Sequence, residues 1–247
     1  MYKALIAYDG TRYFGWQKTV SGPSIQQELE TAIWQITGER TIPEAASRTD
    51  RGVHAAGQVV QFALFKPIDS ERLLRGLNAV LPSDIRVLEL APQSFHPTLD
   101  ATGKEYRYRL CQGPVQDPTM RLYSWHFRHP LNEAEIDRAA QRLTGKRDFT
   151  ALANGEEKNP ICTLESIVFL NGVFQIRGDR FLYKMVRNLV GMLVYVGCGK
   201  LAEDSIPSIL KSRDRKMGAV TAPAHGLCLH QVFYTENDSK TRLEADS

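Results

Sequence analysis

Three charged residues within four positions, Arg48, Asp50 and Arg51, lie in a polar loop of the stretch 46–64, ASRTDRGVHAAGQVVQFAL, that runs into the apolar alternation Val59, Val60, Phe62 and Leu64. With the backbone extended across Arg48-Thr49-Asp50, residues two apart project to one side, so a guanidinium and a carboxylate share a face. Adjacent cations favour the charged form of an acid, and Asp50 is expected to be ionised near neutral pH. Such a carboxylate suits nucleophilic attack or proton abstraction and suits general-acid work poorly. A lone Arg-x-Asp is more often a solvated surface ion pair, so the rest of the chain must supply its context.

Further candidates lie in the second half. Residues 181–196 have helical spacing and are almost all apolar except Lys184, Arg187 and Asn188, which predicts a helix buried on most sides. An arginine there needs a carboxylate partner such as Asp50, a wet cavity, or a stem that snorkels to the surface. Residues 104–112 alternate, with Tyr106, Tyr108 and Leu110 on one face and Glu105, Arg107 and Arg109 on the other. A tyrosine on the inner face is either core with a satisfied hydroxyl or a platform on which a base stacks. Basic residues recur beside aromatics at 104–109 and 177–187, and again at Lys211, Arg213, Arg215 and Lys216. Any one such cluster has about even odds of being a solvated face, whereas several together point to a polyanion. Arg51, Lys104, Arg180 and Lys184 are the candidates for phosphate contacts.

Composition bounds the reading. A chain of 247 residues, 43% hydrophobic and 24% charged, is ordinary for a globular protein of one large or two small domains, which excludes global disorder. The formal charge of +3 is too small to argue for nucleic acid by itself. The longest apolar run, 189–198, is too short to span a bilayer and the N-terminal residues lack a signal-peptide pattern, so a cytoplasmic protein with no membrane association is expected. Cys111, Cys162, Cys198 and Cys228 are far apart and form no C-x-x-C pair; buried reduced thiols are expected, with neither a disulfide framework nor a metal site.

The elements that must position these residues follow from periodicity and caps. Residues 2–8 read as a strand ending at the Asp9-Gly10 turn, followed by an unusually aromatic loop through Gln17. Ser24 with Gln27 forms a capping box for a helix stopped by Gly38. Asp69 or Ser70 caps a second helix that ends at Leu81-Pro82, and residues 85–90 read as a strand. Periodicity is lost near 94–102. Asn132 with Glu135 caps a helix over 132–143, with Leu131 and Ile136 as a staple and Gly145 as the stop. Asn171-Gly172 joins strands 164–170 and 173–177 in a hairpin. A helix near 205–211 and a strand over 226–234 close the pattern. The domains expected are 1–102, carrying the Asp50 loop, and 103–235, followed by a polar, frayed tail at 236–247. Each half interleaves strands and helices, which predicts an α+β fold of two split-βαβ, ferredoxin-like lobes with mostly antiparallel sheets and a cleft between them.

Five motifs in order, Tyr8-Asp9-Gly10 with Gly15-Trp16-Gln17, Arg48-Thr49-Asp50 with Gly52-Val53-His54, Tyr106-Arg107-Tyr108, Met185-Val186-Arg187-Asn188, and Gly226-Leu227, resemble those of the TruA-type tRNA pseudouridine synthases. The likeness spans nearly the whole chain. It departs from the family's frequent pattern at Ser47, where glycine is common, and at Arg51, where a small residue is common. The resemblance implies a pseudouridine synthase fold and an isomerase that converts uridine to pseudouridine in the anticodon stem and loop of tRNA. It implies no cofactor and no metal, and a homodimer gripping the tRNA. It further implies Asp50 as the catalytic aspartate and Tyr106 as the ring packed on the target uracil. Arg187 would be the aspartate's cation, Leu227 a wall of the base pocket, and Arg48 the residue that helps extrude the nucleotide. The alternatives are a related synthase acting at another RNA position and a non-catalytic tRNA-binding or folding protein.

Overall fold

The computed structural model describes residues 1–156 and 158–235; the tail expected at 236–247 lies outside the described residues. The chain forms two compact units, Met1–Lys104 together with residues from Leu229, and Glu105–Cys228.

In the first unit, β1 (Tyr2–Tyr8) leads to α1 (Ile25–Thr37), β2 (Glu44–Ala45), β3 (His54–Phe62), α2 (Ser70–Val80) and β4 (Ile85–Pro92). The caps are those the sequence specifies. The Ser24 side chain accepts from the Gln27 amide, and Gly38 takes the left-handed conformation while its N–H returns to Trp34 O. Asp69 caps α2, and Leu81, forced extended by Pro82, ends it. β1 pairs antiparallel with both β3 and β4, and β2 pairs antiparallel with β3. The order β4-β1-β3 with β2 on the far side of β3 is the split βαβ arrangement. Residues 2, 4, 6 and 8 of β1 are buried, as are Leu29, Ile33, Leu73 and Leu77 of the helices, so one face of the sheet carries the core.

The second unit contains β5 (Ala101–Gln112, beginning in the first unit), β6 (Trp125–Phe127), α3 (Glu133–Leu143), β7 (Gly145–Asp148), β8 (Ile161–Leu170), β9 (Val173–Gly178), α4 (Met185–Gly197) and α5 (Ile206–Ser212). Its strand order is β5-β9-β8-β7, with β7–β8 and β8–β9 antiparallel and β6 parallel to β5. Asn171 and Gly172 both have positive φ, 51° and 76°, which is what a two-residue hairpin turn between β8 and β9 demands. β10 (Leu227–Tyr234) then carries the chain back to the first unit, where it lies beside β3.

The fold is therefore α+β with mostly antiparallel strands, as the periodicity indicates. Several boundaries differ, that of the buried helix by a whole turn. The helix expected from Phe181 begins at Met185, because Lys184 sits in the left-handed region with φ 60° and breaks the apolar run. Within α4 the expectation of burial holds: eleven of thirteen residues are buried, Arg187 and Tyr195 being the partly exposed ones. No helix among the described residues is long and apolar enough to cross a membrane.

Candidate active site

Asp50 is half-buried on a strap, residues 46–53, that enters β3. After Ala46, whose N–H donates to Val59 C=O on β3, the strap lies in no strand, and side chains hold it instead. The Gln58 amide, fully buried on β3, accepts from Ser47 N–H (3.1 Å) and donates to Ser47 C=O (2.6 Å). The Lys104 ammonium donates to the Ala46 carbonyl at 2.6 Å from a buried position. The Tyr8 hydroxyl meets the Thr49 hydroxyl (2.8 Å) and accepts from Gln58 Nε2 (3.3 Å). Buried polar groups persist when so satisfied, and here the satisfaction also fixes the backbone on which the acid sits.

The aromatic loop after β1 completes the cradle. Trp16 N–H donates to Thr49 C=O, Gly52 N–H to Tyr13 C=O and Val53 N–H to Asp50 C=O. Gly15, at φ 98°, lies so close that a Cβ would stand 2.5 Å from Thr49 O, and a Cβ at Gly10 would stand 2.0 Å from Val53 O. Only glycine allows this approach. His54 Nδ1 lies 3.1 Å from both the Gly10 amide and an Asp9 carboxylate oxygen, tying the loop to the strap. Asp84 anchors the loop from below, taking Arg12 on one oxygen and the Tyr13 hydroxyl on the other. Burial, helped by Asp84, pushes the Tyr13 hydroxyl above its ordinary range.

Around Asp50, Arg48 and Arg51 are exposed. The Arg51 guanidinium lies 4.1 Å from the centre of the Phe14 ring, a cation–π contact that holds it beside the acid's loop. Ser47 has no need of glycine's freedom: its φ is not positive, and both its backbone groups are bound to Gln58. Lys104, expected from its cluster to reach phosphate, is buried with its charge against Ala46.

The other sequence candidates lie in the second unit. Tyr106 is buried and meets Phe181 edge-on, ring centres 5.2 Å apart. Tyr108 is core: its hydroxyl donates to Pro223 C=O, and burial pushes it above its ordinary range against a smaller opposing effect of Arg187. Arg187 is half-buried and its Nε donates to Ala222 C=O while Ala222 N–H returns to Arg187 C=O. Next to it, Asn188 Nδ2 donates to Leu152 O and Asn154 Oδ1, and Asn188 Oδ1 accepts from Arg215 and Thr221. Arg180 and Lys184 are half-buried, the latter with its ammonium 5.0 Å from the Tyr183 ring centre. Leu227 is buried directly after Gly226, where a Cβ would stand 2.6 Å from the Tyr108 ring.

Sequence reasoning missed Gln58 altogether, and noted Tyr8 and Asn188 only within motifs, without the hydrogen bonds that they make here. A glutamine between Gly57 and Val59 in a largely apolar strand was the available signal for Gln58, since a buried amide must find partners. Among the described residues no group of three or more His, Cys, Asp or Glu side chains converges as metal ligands do.

A family model described as tRNA pseudouridine synthase matches residues 4–96 and 139–235. The chain is 47% identical over 245 residues to tRNA pseudouridine synthase A 2 of Protochlamydia amoebophila strain UWE25, covering 94% of this chain and 93% of that one. It is 42% identical over 240 residues to tRNA pseudouridine synthase A of Thermoanaerobacter sp. strain X514, covering 93% and 98%. The corresponding protein of Moorella thermoacetica is 42% identical over 245 residues, covering 94% and 98%.

Proposed function

The chain belongs to the tRNA pseudouridine synthase family, a family of isomerases, and from that membership we propose that it acts on uridine in the anticodon stem and loop of tRNA. The reaction breaks the bond between uracil N1 and ribose C1′, turns the base over, and joins C5 to C1′. The C5 proton leaves to solvent and N1 gains one. Asp50 is the catalytic group, either attacking C1′ as retaining glycosidases do or abstracting a sugar proton. Both routes need the carboxylate unprotonated and held still.

Tyr106 stacks on the target uracil, a contact worth about 1–3 kcal/mol per base, and Leu227 walls the base pocket. Arg187 supplies the positive charge that supports the aspartate. Arg48 helps extrude the nucleotide, a step costing a few kcal/mol. Arg51, Arg180 and Lys184 meet phosphates, and Lys104 acts on the strap rather than on RNA. The protein works in the cytoplasm as a homodimer, which light scattering of the purified protein tests directly.

The observation that carries this reading is the immobilised strap: three side chains, Gln58, Lys104 and Tyr8, and two glycines converge on residues 46–53, and the one acid they present is Asp50. Unmodified tRNA tritiated at uracil C5 should release tritium with the wild type and none with Asp50→Asn, which still binds tRNA. Release by Asp50→Asn would overturn the assignment. Mapping pseudouridines in RNA from a deletion strain fixes the position, and sites outside the anticodon stem and loop would overturn that part.

A further inference from the structure

The second unit has a recess of about 640 Å³ lined by none of the residues given a role in the reaction above, within the range of about 300–1,000 Å³ typical of ligand sites. Its floor is apolar, Pro207 and Leu210 of α5. Its walls carry five cations, Arg142 at the end of α3, Lys146 and Arg147 on β7, and Lys211 and Arg213 at the end of α5, against one carboxylate, Asp148.

Internal pairing does not account for this charge. Arg142 is paired with Glu203, and Arg213 donates to Asp148 at 2.8 Å. Asp148 is itself committed. Its partial burial works against ionisation, but bonds from the Thr150 hydroxyl and amide, together with Arg213, hold its carboxyl below the ordinary range. Lys146, Arg147 and Lys211 are exposed and make no ion pair among the described residues. Three uncompensated cations around one concave surface raise each other's electrostatic energy until a polyanion joins them.

The lining also says which part of a polyanion fits. It has no aromatic ring on which a base would stack, its one carboxylate is already engaged, and its exposed cations are of the kind that most often meet phosphate oxygens. We propose that this recess is a second docking surface for tRNA, one that grips the sugar–phosphate backbone of a stem and positions the molecule without reading its sequence. The inference rests on tRNA being the substrate. A competing explanation exists for the two β7 cations: β7 is the edge of its sheet, and edge strands often carry Lys or Arg to block aggregation. Lys211 lies on α5 and has no such duty.

The test compares Lys146→Gln/Arg147→Gln/Lys211→Gln with a control of equal charge change on exposed residues of the first unit, Arg40→Gln/Lys66→Gln/Arg72→Gln. Binding of unmodified tRNA is measured across salt concentrations, alongside tritium release at saturating tRNA. For the recess variant, affinity should fall at least tenfold at low salt and the salt dependence should lose about two to three units of log–log slope, at about 0.9 per phosphate. Its release rate at saturation should match the wild type. Unchanged affinity and slope overturn the proposal, as does an equal loss in the control. If the recess variant only aggregates while its unaggregated fraction binds as the wild type does, the edge-strand explanation is correct and the proposal falls. Should the wild type bind tRNA but release no tritium, the catalytic reading fails while a weakened recess variant still upholds the docking surface.

Discussion

Gln58 and Ser47 are joined by two hydrogen bonds, side-chain oxygen to amide and side-chain nitrogen to carbonyl, so that one side chain stands in for a strand partner of Ser47. Gln58→Leu keeps the volume roughly and leaves both Ser47 groups without their partner. At about 1–3 kcal/mol per buried unsatisfied group, stability should fall by about 2–4 kcal/mol, read as a lowered urea midpoint. Activity should fall further than stability explains. A variant with wild-type turnover would show that the strap holds its shape without this pair.

Gly15→Ala tests the cradle more sharply. Its Cβ would meet Thr49 O at 2.5 Å and its φ of 98° is strained for any other residue, so the strap must shift. Misplacement of a reacting group by about 1 Å costs on the order of 10²-fold in rate. Tritium release at saturation should drop by about that factor, with tRNA affinity changed less than about threefold.

Arg51→Ala is expected to keep most turnover and weaken tRNA binding. Its ring contact with Phe14 is worth about 0.5–1 kcal/mol at an exposed site, and that much positioning is lost with it. Loss of turnover with binding unchanged would instead give Arg51 a part in the chemistry.

Much of the fold could be read in advance because local chemistry and tertiary packing agree. Ser24, Asp69 and Asn132 cap the helices they were expected to cap, and Asn171-Gly172 turns its hairpin. What escaped reading has physical reasons. Gly145–Asp148 is an edge strand with polar side chains and no alternation; Glu44–Ala45 is two residues long. Lys184 hides in an apolar run because its left-handed conformation leaves no mark on hydrophobic spacing. At the site, Asp50 stood out by charge, whereas Gln58 and Lys104 act through backbone groups, which carry no letter in a sequence.

Tyr13 and Tyr108 predict a pH dependence. Both hydroxyls titrate above the ordinary value of 10.0, chiefly through burial. A raised folded value means stability is complete below about 10 and is lost as pH rises through and beyond it, since only the unfolded chain releases those protons readily. Urea midpoints should fall from about pH 10 upward, and Tyr108→Phe should flatten that decline while costing about 1 kcal/mol at neutral pH through its lost bond to Pro223.

Asn188→Ala removes a hub that joins α4 to Leu152, Asn154, Arg215 and Thr221. The expected cost is about 2–4 kcal/mol for the orphaned groups, measured by denaturation. A double variant with Thr221→Val should cost less than the sum of the two single changes.

β3, the strand that leaves the Asp50 strap, receives β10 as a neighbour only when residues from Leu229 are in place, and Gly57 is shaped for that arrival, its missing Cβ leaving room for His230 O. On the ribosome, then, the first unit emerges early yet stays one strand short while more than a hundred further residues are translated. Nascent protein halted before residue 229 would carry Asp50, Tyr106 and Arg187 and still lack a finished sheet beside the Asp50 strap.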